Sequence, residues 1–146
     1  MNQSISFLPA ATALTIALTV APAFAGVIPY AAQLTAAAEV PPVDSAASGA
    51  VQGTYDSATK TLTWTITYRG LTGDVTGAQF HGPAKPGATA DATVAITSPY
   101  ASPIEGSATI SDQQFRDLRR GAWYLSVVTT KYPYGEIRGQ LGVVRP

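Results

Sequence analysis

Eight consecutive residues, Thr61 to Tyr68, alternate without a break: Leu62, Trp64, Ile66 and Tyr68 point one way, Thr61, Thr63, Thr65 and Thr67 the other. A period of two, carried by β-branched and aromatic side chains, is the pattern of a strand with one face buried and one wet. Such a strand is not stable alone, so the rest of the chain has to supply neighbouring strands and an apolar layer opposite Trp64.

The remaining segments are short and of the same kind. Tyr30 to Val40 (YAAQLTAAAEV) is rich in Ala and permissive for helix, but it stops at Pro41-Pro42, which forbids helical continuation. It is read as a first strand. Ala50 to Tyr55 is a second, joined to the alternating strand by the turn Asp56–Lys60. Arg69 to Asp74, with two glycines, leads into Val75–His81, which breaks at Gly82-Pro83 into a loop ending near Ala90. Asp91–Thr97 and Ile104–Ile110 are two further strands around the loop Ser98–Pro103.

Ser111-Asp112-Gln113-Gln114 is a capping box, Phe115 and Leu118 share one helical face, and Gly121 is a terminator. One short helix is therefore expected near residues 112–120. From Ala122 to Val144, two strand-like runs flank a Pro and Gly turn to make a last hairpin. Seven or eight short strands punctuated in this way predict an all-β sandwich or barrel with Greek-key connections.

The bulk numbers narrow function. At 146 residues the chain has room for one domain. Nine basic and nine acidic side chains balance, which leaves no electrostatic footprint for nucleic acid. Cysteine is absent, so there is no disulfide framework, thiolate metal cage or catalytic thiol. Ala10 to Ala21 is apolar apart from Thr, and Ala23-Phe24-Ala25 makes an A-x-A processing pattern before Gly26. Residues 1–25 read as a signal peptide and 26–146 as the mature domain, secreted or periplasmic, with no stable membrane insertion after cleavage. Pro9, Pro22 and weak hydropathy argue against an uncleaved anchor.

Few residues offer chemistry. His81 is the only histidine, and Gln79 shares its strand face, so a copper or zinc site would draw on His81, Gln79 and a carboxylate such as Asp91. A lone imidazole is a poor ligand set, and the competing expectation is a hydrogen bond from His81 to a backbone carbonyl at the start of the loop. Ser57-Ala58-Thr59-Lys60 matches S-x-x-K, but it lies in a hairpin turn and not at a helix start. No nucleophile and base pair is recognisable, so the chain is expected not to be an enzyme and to need no cofactor.

Gly135-Glu136-Ile137-Arg138-Gly139-Gln140 reads as a structural motif, with Glu136 and Arg138 paired on one strand face and Ile137 turned inward. Alternatively, the planar fork of Arg138 anchors a carboxylate ligand. Tyr132, Tyr134 and Lys131 in the last turn, and Tyr100 in an earlier loop, are candidates for contact with a protein or polysaccharide surface.

Several segments together carry a resemblance: Glu39-Val40-Pro41-Pro42-Val43, Gly70-Leu71, Ala78-Gln79-Phe80-His81-Gly82-Pro83-Ala84, and Gly121 to Gln140. In that order, over roughly 33–141, the chain resembles the CHRD domain, named from chordin and common in secreted bacterial proteins. The resemblance implies an immunoglobulin-like β-sandwich exported from the cell. It also implies a histidine cluster, read as a metal site in relatives, of which this chain retains one member. Gln79 stands where His-x-His-Gly is common, and Val128 precedes Thr129 where a histidine is common. The leading expectation is thus a noncatalytic binding module acting through its loops; the alternative is a metal-binding or redox-linked protein using His81.

Overall fold

The computed structural model describes residues 26–145; the expected leader lies outside the described residues. The described residues form nine strands: β1 (Val27–Thr35), β2 (Ser48–Asp56), β3 (Thr61–Arg69), β4 (Val75–His81), β5 (Ala92–Ile96), β6 (Ile104–Thr109), β7 (Tyr124–Thr129), β8 (Ile137–Gln140) and β9 (Gly142–Val143). One helix, α1 (Asp112–Arg119), precedes β7. The capping box at its start is complete, with Ser111 Oγ accepting from Gln114 N and Ser111 N donating to Gln114 Oε1.

The strands form one antiparallel sheet in the order β5-β4-β7-β8-β1-β2-β3-β6, with β9 added to β1. That ribbon folds over on itself. Trp64 of β3 and Phe80 of β4 stand on strands separated by four others, yet their ring centroids are 5.3 Å apart. The sandwich therefore has two layers, β5-β4-β7-β8 and β1-β2-β3-β6, continuous at the short seam where Thr35 of β1 pairs with Arg138 of β8. The chain crosses between layers from β3 to β4, from β5 to β6, and again through α1 to β7.

The alternating segment does what its pattern demands. Leu62 and Ile66 are fully buried and Trp64 nearly so, opposite Phe80, Trp123, Leu125, Val127 and Ile137. Burying side chains of this size stabilises by about 1.5–3 kcal/mol each. Phe115 of α1 stacks on Tyr55 of β2 at 3.8 Å, and Leu118 is fully buried, which pins the helix over the end of the core.

Apart from shifts of one to three residues at other strand ends, two features differ from expectation. The first strand ends at Thr35 and not at Val40, because Ala36–Ala38 close a single 3-10 turn in which Glu39 N donates to Ala36 O. Three successive alanines supply no β-branched side chain to hold a ladder. The second strand of the last hairpin is interrupted at Leu141, whose N–H turns to Trp123 O, so that β8 pairs with β7 and β1 whereas β9 pairs with β1 alone. Among the described residues no helix is long and apolar enough to cross a membrane.

Candidate functional site

The β7–β8 hairpin lies inside its layer, with β4 on one side and β1 on the other. One face, carrying Leu125, Val127 and Ile137, enters the core. The pleat sends the alternate side chains to the other face, and these are polar: Tyr124 and Ser126 on β7, Arg138 and Gln140 on β8. Gln79 and His81 of β4 continue the rows, Gln79 opposite Ser126 opposite Arg138, and His81 opposite Tyr124 opposite Gln140. Two irregular segments close over this face, 36–43 from one end of the sandwich and 82–91 from the other.

Glu136 sits just before β8 with no exposed surface and gathers three loops. Its carboxylate accepts from Ser45 Oγ at 2.7 Å, Thr72 N at 3.0 Å, Thr72 Oγ1 at 3.0 Å and Thr129 Oγ1 at 2.8 Å. Burial opposes the charge, but the hydrogen bonds from Ser45, Thr129 and Thr72 outweigh it and hold the carboxyl below the usual carboxylate range. The expected ion pair with Arg138 is not formed; the ion pairs among the described residues are Lys60–Asp112 and Arg120–Asp117. The reason is local. Alternation governs only residues inside the ladder, and β8 begins at Ile137, so Glu136 does not share Arg138's face.

Arg138 is 2% exposed and lies under the second covering loop. Its Nη2 donates to Ala88 O at 2.6 Å, and its guanidinium carbon stands 3.5 Å from the centre of the Tyr124 ring. Tyr124 stacks in turn on His81, at 4.8 Å with the rings 2° from parallel. Gln140 Nε2 donates to Ala84 O and Gly121 O and fixes the root of the same loop. A cleft of about 360 Å³ opens between the two covering segments, with Ala38, Glu39 and Pro42 on one wall, Pro86 and Gly87 on the other, and Arg138 at its floor.

Glu39 reaches into this region and accepts from Ser126 Oγ at 2.8 Å. Burial raises its carboxyl above the usual range, partly offset by the Ser126 bond and the positive charge of Arg138. Gly135 makes the approach possible. Its φ of +128° suits glycine, and a Cβ there would run into Glu39 Oε1 and Ser126 Oγ.

The aromatic candidates separate into two kinds. Tyr134 is 96% exposed at the tip of the last turn. Lys131 is exposed as well, its Nζ 5.5 Å from the Tyr132 ring. Tyr132 is half-buried and donates to Asp44 O, while its backbone caps the turn through Thr129 and Gly135. Tyr100 anchors its own loop, donating to Ile96 O and receiving Tyr68 Oη on its carbonyl. All four sit at one end of the sandwich, where the segments 36–47, 70–74, 97–103 and 130–136 gather. There Tyr132, Pro133 and Tyr134 face Val40, Pro41 and Pro42 across a smaller cleft of about 160 Å³.

His81 is half-buried, with Nδ1 3.0 Å from Ala90 O. Burial pushes its pKa down, as does the charge of Arg138, against the Ala90 contact and Asp91, which pull it up. Gln79 shares its strand and Asp91 lies near enough for its charge to act on the ring, yet among the described residues no three His, Cys, Asp or Glu side chains converge as a metal would require. Gln79 and Val128, the two positions where the resemblance implies histidines, lie close together on adjacent strands, since Val128 pairs with Gly77, two residues before Gln79.

Sequence reasoning missed Ser45, Thr72, Ser126, Thr129 and Tyr124 as participants. Only their position could have flagged them: Tyr124, Ser126 and Thr129 lie within the segment Gly121 to Gln140, Thr72 directly after Gly70-Leu71, and Ser45 two residues after Val43. The structure explains why those segments belong together: Glu39 meets Ser126 and Gly135, the residue after Gly70-Leu71 holds Glu136, and the loop opened by Gly82-Pro83-Ala84 is tied down by Arg138 and Gln140. No curated protein and no solved structure gives a significant match. The family model for the CHRD domain, in contrast, matches residues 30–141, spanning every segment just described, and the chain belongs to the CHRD domain family.

Proposed function

We propose that the chain is a noncatalytic, secreted or periplasmic binding module that docks a protein or polysaccharide surface through the turn carrying Tyr134. One observation carries the reading. A tyrosine 96% exposed stands on a turn whose base is clamped by Glu136 to two other loops, so a large amphipathic ring is presented with little conformational freedom to lose. Lys131 beside it and the Val40-Pro41-Pro42 ridge across the small cleft extend the surface. The A-x-A pattern at Ala23–Ala25 supports export, and the hydrogen bonds that Glu136 receives from Ser45, Thr72 and Thr129 are spent on holding loops together.

The test is retention of the labelled mature chain on immobilised cell-envelope polysaccharides and on envelope fractions before and after protease digestion. Tyr134→Ala should lose retention on whichever surface holds the parent protein while melting at the same temperature. Retention unchanged by Tyr134→Ala would remove the turn from the binding surface.

A further inference from the structure

The geometry points to a second site, independent of the tyrosine turn: the Arg138 cleft takes a small organic carboxylate that carries a hydrogen-bond donor beside its carboxyl group. Arg138 is nearly wholly buried, yet among the described residues only Nη2 has a protein acceptor, Ala88 O. The buried side-chain polar atoms without a partner among the described residues are the indole nitrogens of Trp64 and Trp123. Arg138 Nε and Nη1 are not among them, so these donors keep access to the cleft. Nη2 spends one hydrogen on Ala88, and its other, parallel to a hydrogen of Nε or Nη1, completes the fork that the two oxygens of a carboxylate match.

The opposite wall supplies the complement. Glu39 Oε1 is engaged by Ser126, whereas Oε2 has no protein donor among the described residues. Glu39 and Arg138 make no ion pair, although the arginine's charge is felt at the glutamate. A cation and a carboxyl thus face each other across a gap that neither closes. The molecule that fits presents a carboxylate to Arg138 and a hydroxyl or ammonium to Glu39, as a uronic acid or an amino acid does. The opening, about 360 Å³, is of the size that accepts one such unit. Tyr124 and the loop held at Ala88 lock the fork in place, so its orientation is set before a ligand arrives.

The test is a titration of the labelled mature protein with glucuronate and with glycylglycine, glucose serving as the uncharged control, read by NMR at the Arg138 side-chain Nε–H and the Gly87 amide. At least one acid should shift both signals at millimolar concentration and glucose should not. Shifts with glucuronate alone assign the donor as a hydroxyl, and shifts with glycylglycine alone as an ammonium. Ala38 is exposed on the wall of the cleft, so Ala38→Trp should narrow the opening and weaken binding about tenfold or more. Arg138→Lys keeps the charge but loses the fork and should weaken binding similarly in a folded protein. Absence of shifts with both acids, shifts that glucose reproduces, or binding that survives Ala38→Trp would overturn the assignment.

Discussion

Two glutamates are buried at the mouth of the same hairpin and meet different fates. Glu136 receives hydrogen bonds from three side-chain hydroxyls and one backbone N–H, and its carboxyl is held below the usual range. Glu39 receives one, from Ser126, and burial drives its carboxyl above that range despite the nearby Arg138. At both sites burial raises the carboxyl; the donated hydrogen bonds outweigh it at Glu136 and the single one at Glu39 does not, so the balance of burial against donors decides the sign. The comparison separates a region built to hold the fold, where every acceptor is used, from one with donor and acceptor capacity to spare. Spare capacity lined up along a cleft is what a ligand would consume.

The largest effect should come from emptying the used region. Glu136→Ala leaves Ser45, Thr72 and Thr129 facing a void and frees three loops at once, so a loss of roughly 3 kcal/mol is expected, lowering the melting temperature by about 10 °C. Urea unfolding of parent and variant measures it; a loss under about 1 kcal/mol would mean the loops hold without the carboxylate. The milder Glu136→Gln isolates the charge. As pH falls through the ordinary carboxylate range the unfolded chain binds the proton first, because the folded carboxyl resists it. Stability is therefore present above that range and is lost as pH drops through the depressed folded value. The acid loss should be visibly smaller in Glu136→Gln than in the parent, as read by melting temperature against pH.

How much of this could be read from the residues in order follows from where the partners lie. The alternation at Thr61–Tyr68 and the capping box at Ser111–Gln114 were legible because strand period and cap geometry are set within a few residues. The sandwich was legible because short alternating segments have few other ways to bury one face. The Glu136 cluster was not: its donors Thr72 and Ser45 lie 64 and 91 residues away, and serines and threonines are too common in this chain to single out. The four loop candidates looked alike for a similar reason. Exposure separates Tyr134 from Tyr100 and Tyr132, yet it depends on carbonyls of Ile96 and Asp44 whose positions only the folded chain defines. The expectation of a Glu136–Arg138 pair erred by extending strand alternation one residue past the ladder.

The smallest effect, and the one of opposite sign, belongs to Glu39. Its carboxyl is raised in the folded protein, so as pH falls from neutrality the folded chain takes up the proton before the unfolded chain does. Folding is helped as pH drops through the raised value toward the ordinary one, and at neutral pH the charged side chain is a cost. Glu39→Gln keeps an oxygen for Ser126 and removes the charge, so stability at neutral pH should change by less than about 1 kcal/mol, and toward gain rather than loss. His81, whose pKa is lowered, loses stability as pH falls through the neighbouring window, so the difference between variant and parent isolates Glu39 where the raw curve does not. That difference should be a gain that is greatest at neutral pH and vanishes in mild acid, whereas the Glu136→Gln difference is a loss at neutral pH that shrinks as the parent loses stability in acid. If both variants instead lose stability with the same pH profile, Glu39 is held by donors as Glu136 is, and the capacity assigned to the Arg138 cleft is already taken by the protein itself.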